Sequence, residues 1–192
     1  MSKIKCVGVI AEDDSDFNSV RILVKRIAGK DNIAFKKKIG DGCGKVKRKC
    51  SVWAEDLFQR QCDALIVVHD LDRSVLSQLE SDLAERLSSA SIARRLICIP
   101  VEELESWFLS DPKSIKSALS LSRIPKASGR PETITSPKEY LRDQVASCSG
   151  SRRIYLTTKH NELLAQHVSI ELARAKCPSF ERFHDFVAGQ RY

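Results

Sequence analysis

The chain has 192 residues, of which 42% are hydrophobic and only 6% aromatic, and it carries a formal charge of +7. That length suits one domain, or one domain with a helical extension, and the apolar content is enough for a real core. No run approaches the roughly 20 apolar residues of a membrane span, so no membrane partner is expected, and the positive balance points to polyanions.

The first residues run straight into a strand-like segment without an apolar leader, and the seven cysteines are an odd, scattered set. Both point to a cytoplasmic protein without a disulfide framework. Residues 4–11 (IKCVGVIA) form a short apolar run, the pattern of a strand covered on both faces. Phe17, Val20, Leu23, Val24 and Ile27 then recur at helical spacing, with Ser15 as the N-cap candidate. Residues 32–39 read as a more mixed strand nearer an edge, and 40–49 as a flexible, glycine-containing basic loop. In that loop Lys45, Lys47, Arg48 and Lys49 are candidates for binding phosphates, although the P-loop pattern is absent. Residues 64–68 (ALIVV) and 96–99 (LICI) are further buried strands, separated by a helix carrying Leu76, Leu79, Leu83 and Leu87.

After Pro100 the texture changes. Residues 102–110 look helical, and 120–153 are rich in Ser, Pro, Gly and basic residues around a helix at 137–146. Residues 160–176 are amphipathic, and a last helix lies near 183–187. No repeat or linker appears. The reading is an α/β core over 1–119 and a helical extension over 120–192 packed on the same domain.

Strands alternating with helices imply parallel pairing and right-handed crossovers, with ligands beyond the carboxyl ends of the strands. Acids collect there. The first strand exits into Glu12-Asp13-Asp14-Ser15-Asp16, the third into Asp70-Leu71-Asp72-Arg73, and the fourth into Glu102-Glu103-Leu104-Glu105. Two such charges about 4 Å apart repel by roughly 4 kcal/mol at an effective dielectric near 20. Bound cations relieve that repulsion, and carboxylate oxygens are the ligands that Mg²⁺ or Mn²⁺ prefer. A pair of ions held roughly 3.5–4 Å apart suits phosphoryl displacement. The bland alternative is that acids merely occupy loops and cap helices.

Glu12 and Asp16 before a helix, followed by Asp70-x-Asp72 after an apolar strand, resemble the toprim domain of topoisomerases, primases and OLD-type nucleases, although Asp13 stands where that family usually has glycine. The stretch from Ile99 to Trp107 and the element Cys177-Pro178-Ser179-Phe180 look closer to small bacterial toprim-like proteins associated with ABC- or SMC-type ATPases in phage defence. The resemblance implies a toprim-like parallel four-stranded sheet and a Mg²⁺- or Mn²⁺-dependent nuclease acting on DNA or RNA, with an ATPase partner. It implies Glu12, Asp16, Asp70, Asp72, Glu103 and Glu105 as metal ligands, Glu12 as general acid/base, and Lys159 near the scissile phosphate. Arg73 would pair with Asp72 or with a phosphate. The alternatives are a non-catalytic toprim-like subunit docking on an ATPase and a receiver domain with Asp70 as phosphoacceptor. Cys43, Cys50 and Cys62 with His69 lack the paired C-x-x-C spacing of a zinc site. Cys6, Cys98 and Trp107 read as core residues.

Overall fold

Four segments of continuous apolar or mixed character pair into one parallel sheet, as their lack of strict alternation requires. In the computed structural model, which describes residues 3–150 and 153–192, these are β1 (Cys6–Ala11), β2 (Ala34–Ile39), β3 (Ala64–Val68) and β4 (Arg95–Cys98). Their order is β2-β1-β3-β4, and every neighbouring pair is parallel, with Ala11 opposite Ile39 and Val68 opposite Cys98. All carboxyl ends therefore meet at one edge. Arg152, one of the basic residues of the sequence, lies outside the described residues.

Helix α1 (Asp14–Ala28) starts with an extended Asp13 whose side chain accepts from the Asp16 N–H, and ends at Gly29 with φ 61°. That left-handed terminus suits glycine. The cap is thus Asp13, not Ser15; Ser15 lies inside the first turn, and its hydroxyl donates to the Thr157 carbonyl at 3.1 Å. Asp13 is extended, so the backbone at this position asks for no glycine.

The expected basic loop is largely helix. Helix α2 (Cys43–Gln59) buries Val46, Cys50, Ala54 and Leu57, a stripe at helical spacing that outweighs the polarity of the residues between. The close approach at Gly40 is to this helix, since a Cβ there would lie 2.6 Å from Val46 Cγ2. Helix α3 (Leu76–Arg86) joins α2 on the same face of the sheet, over Ile10, Leu65 and Val67.

The opposite face carries α1, and the C-terminal part of the chain packs there. It comprises α4 (Glu105–Phe108), α5 (Pro112–Ala118), α6 (Pro137–Cys148), α7 (Thr157–His167), α8 (Ile170–Lys176) and α9 (Pro178–Ala188). Helix α1 packs on α7 and α9, and α9 reaches β4, so residues before and after position 120 share one core. The expected helix over 102–110 is reduced to α4, and Glu102, with φ 61°, lies outside the helical region. The amphipathic stretch 160–176 breaks at Val168–Ser169, where the Ser169 hydroxyl caps α8. Among the described residues no helix is long and apolar enough to cross a membrane.

Candidate metal centre

Parallel pairing continues beyond the strands. The amides of His69, Leu71 and Asp72 donate to the carbonyls of Cys98, Pro100 and Glu102, so the two acidic loops run side by side. Asp72 and Glu102 both adopt positive φ, 47° and 61°, a conformation that costs a non-glycine residue about 1–3 kcal/mol and tends to persist at functional sites.

The result is a cavity of about 150 Å³ lined by Glu12, Asp16, Asp70, Asp72, Glu103 and Glu105, together with Asp13, Lys138, Thr157 and Asn161. All six acids singled out in the sequence are thereby brought together. Glu12 Oε1 accepts from the Asp70 N–H at 3.1 Å and lies 3.7 Å from His69 Nδ1. His69 Nδ1 is 2.7 Å from the Asp70 carbonyl, which can only accept, so this nitrogen carries the ring proton. Glu103 Oε2 accepts from the Lys138 N–H at 2.9 Å. Glu105 is buried, its Oε1 held by Tyr155 Oη and Asn161 Nδ2, each at 3.1 Å.

Burial and mutual repulsion mark these carboxyls. Burial pushes Asp70 well above the usual range, reinforced by Asp16, Glu105 and Glu12. Asp16 is raised well above it by burial and by Asp13, Glu105 and Glu12. Burial also raises Glu12 and Glu103, against the pull of His69 on the first and of the Lys138 N–H on the second.

Among the described residues no three His, Cys, Asp or Glu side chains are already gathered closely enough to hold a metal ion. The donor set is nevertheless chemically suited to a hard divalent cation. The ligand atoms on offer are carboxylate oxygens, and Asp70 Oδ1 is buried with no hydrogen-bond partner. A buried carboxylate oxygen without a donor is costly, and a cation is the counterpart that would satisfy it.

The basic candidates fare differently. Lys159 is exposed on the first turn of α7 and does not line the cavity; Lys138, at the start of α6, does. Lys45 pairs with Asp41 at 3.1 Å, Lys47 pairs with Asp82, and Arg48 and Lys49 are exposed on α2. Arg73 is exposed in a groove of about 490 Å³ that shares Asp72 and Glu103 with the acidic cavity. His69, Lys138, Tyr155 and Asn161 were not visible as site residues in the sequence; only the adjacency of His69 to Asp70 offered a signal.

Tyr155 supplies a test of the tether on Glu105. Tyr155→Phe deletes the hydroxyl and leaves Glu105 with one donor fewer. It is expected to cost about 1–2 kcal/mol in chemical denaturation; were Glu105 to hold a cation, the loss of this outer partner would also weaken Mn²⁺ binding about 10–100-fold.

The model of one protein family, described as a domain of unknown function (DUF4276), matches residues 11–188, and the chain belongs to that family. No curated protein and no solved structure matches the chain.

Proposed function

We propose that this chain is a divalent-metal-dependent phosphodiesterase of toprim type, a nuclease acting on DNA or RNA. The observation that carries the reading is the convergence of seven carboxyl groups on one cavity, among them the buried Asp70 with its unpartnered Oδ1. In an overall basic protein, so acidic a cavity is unfavourable at neutral pH unless protons or cations neutralise it.

Asp16, Asp70, Asp72, Glu103 and Glu105 would hold Mg²⁺ or Mn²⁺. Such an ion, when bound, supplies Lewis-acid stabilisation of phosphate oxygens and lowers the pKa of water. Glu12 differs from the other acids. It is anchored through the Asp70 N–H beside His69, and burial raises its affinity for a proton. That suits it to take the proton of an attacking water. His69, donating to the Asp70 carbonyl, holds the loop on which Asp70 sits. Lys138 brings the positive charge that the toprim resemblance assigns to Lys159, in position to meet a phosphate at the cavity. A cytoplasmic location goes with this function and suits seven free cysteines.

The division of roles is testable with Glu12→Gln. Calorimetric Mn²⁺ affinity is expected to stay within about tenfold of wild type while cleavage of a labelled oligonucleotide falls by about 10²–10⁴. A wild-type protein that binds no Mn²⁺ at millimolar concentration, or a Glu12→Gln protein that still cuts, would overturn the assignment.

A further inference from the structure

We infer that the free edge of β2 forms a second, basic binding site that holds a single-stranded nucleic acid by its phosphates and bases. This rests on the proposed nuclease reading only in supplying a use for the strand; the surface itself stands independently.

β2 closes one end of the sheet, and a groove of about 620 Å³ runs along it. Its walls carry Arg21, Lys25, Lys36, Lys37 and Arg60, and its floor is Phe17, Ile33 and Phe35. Among the described residues no acid lines it. Lys36 Nζ donates to the Arg60 carbonyl, and the other cations are open to an anion. Arg21 has Glu162 only at 3.9 Å, Arg60 has Asp56 at 3.6 Å, and Lys37 pairs with Asp14, and the side chains in all three pairs are about 40–65% exposed. Pairs so open to solvent contribute little, so a phosphate competes with them readily.

The floor decides between polyanions. Arg21 Cζ lies 5.9 Å, and Lys37 Nζ 5.4 Å, from the centre of the Phe17 ring, and Phe35 is half-buried beside it. Cations over aromatic rings, on an apolar floor, match a strand whose bases are unstacked. A duplex turns its bases inward and offers such a floor nothing. The groove also adjoins the site. Lys37 meets Asp14 on the first turn of α1, two residues before Asp16 in the acidic cavity. A strand lying along β2 thus approaches the carboxylates, whose own field repels it. The α2 lysines offer no such floor: the groove beside Lys47 is lined by Arg73, Val75, Gln78, Leu79 and Asp82, with no aromatic ring.

The test measures fluorescence anisotropy of a labelled oligothymidylate with the full chain in EDTA, which keeps hydrolysis out of the readout. Combining Arg21→Gln, Lys25→Gln and Lys36→Gln is expected to weaken binding about 10–100-fold at low salt. It should also flatten the slope of log K against log salt by about 2, at roughly 0.7 for each phosphate left unneutralised. Phe35→Leu, which keeps the core apolar, should weaken binding about 5–10-fold with the slope unchanged, as loss of stacking does. Lys47→Gln with Arg48→Gln and Lys49→Gln should change neither. The inference is overturned if the groove variants bind like wild type, or if an equal length of duplex displaces the single strand. It is overturned equally if polyglutamate binds and the oligonucleotide does not, which would make the groove a site for acidic protein segments. Loss of cleavage without loss of this binding bears on the catalytic reading alone.

Discussion

Asp70→Asn is expected to raise the melting temperature of the metal-free protein while lowering metal-dependent cleavage by at least ~10³-fold, more than the 10²–10³ typical for loss of one electrostatic donor at a transition state. The two effects have one origin. Asp70 Oδ1 is buried without a partner, and the carboxyl group faces Asp16, Glu105 and Glu12. Its folded-state pKa lies well above its ordinary value, as does that of Asp16. The folded state therefore binds these protons more tightly than the unfolded chain, whose aspartates titrate near about 4. The resulting stability is complete below about pH 4 and is lost as pH rises through the raised values. In EDTA the wild-type melting temperature should accordingly fall between mildly acidic and mildly alkaline pH, and millimolar Mn²⁺ should restore it. Asparagine removes the charge and supplies an amide donor to its acidic neighbours. Its advantage should be about 1–3 kcal/mol, or roughly 3–10 °C for a domain of this size, at pH 8, and should vanish near pH 4. Differential scanning calorimetry across pH, with and without Mn²⁺, reads all of this. A variant that is less stable than wild type at pH 8 in EDTA would remove the argument that the acids are mutually strained.

The acidic strand ends were legible because the sheet is built from near-continuous apolar runs. Once β1, β3 and β4 are parallel, Glu12, Asp70 and Glu103 must reach one edge. Helix α2 was less legible, since Lys45, Lys47, Arg48 and Lys49 crowd its first turns and hide the Val46–Cys50–Ala54–Leu57 stripe. The remaining site residues come from distant stretches, Lys138 from α6 and Tyr155 and Asn161 from around the start of α7. No local pattern announces a residue whose role is to bond Glu105 from 50 positions away. The element Cys177-Pro178-Ser179-Phe180 has a packing role that no local pattern announces. Pro178 opens α9, Ser179 Oγ accepts from Trp107 Nε1 at 2.8 Å and bonds Glu132, and Phe180 meets the Trp107 ring edge-on.

That junction sets the second large effect. Trp107 is fully buried, its ring 5.1 Å from Phe180 and 5.4 Å from Phe183 between centres, in the core that also takes in Val9, Ile66 and Cys98 of the sheet. Trp107→Ala should cost about 3–5 kcal/mol, a large share of the roughly 5–15 kcal/mol that a domain has in total. The melting temperature should fall by about 6–20 °C. Trp107→Phe keeps the aromatic packing and gives up mainly the bond to Ser179, so it should recover more than half of that loss. The consequence extends to the cavity, because Glu105 sits two residues before Trp107 on the same short helix α4. A four-residue helix has too few internal hydrogen bonds to hold itself in place. Glu105 is therefore positioned by what α4 packs on, namely α6, α7 and, through Trp107, α9. Trp107→Ala should lose Mn²⁺ affinity well beyond Trp107→Phe when both are compared at a temperature where each is folded. Equal affinities would mean that Tyr155 and Asn161 hold Glu105 without help from the C-terminal helices. The expected inequality would make those helices part of the proposed metal centre, and a fragment ending at residue 119 should neither keep the core that α1 and β4 share with α9 nor present Glu105 to an ion.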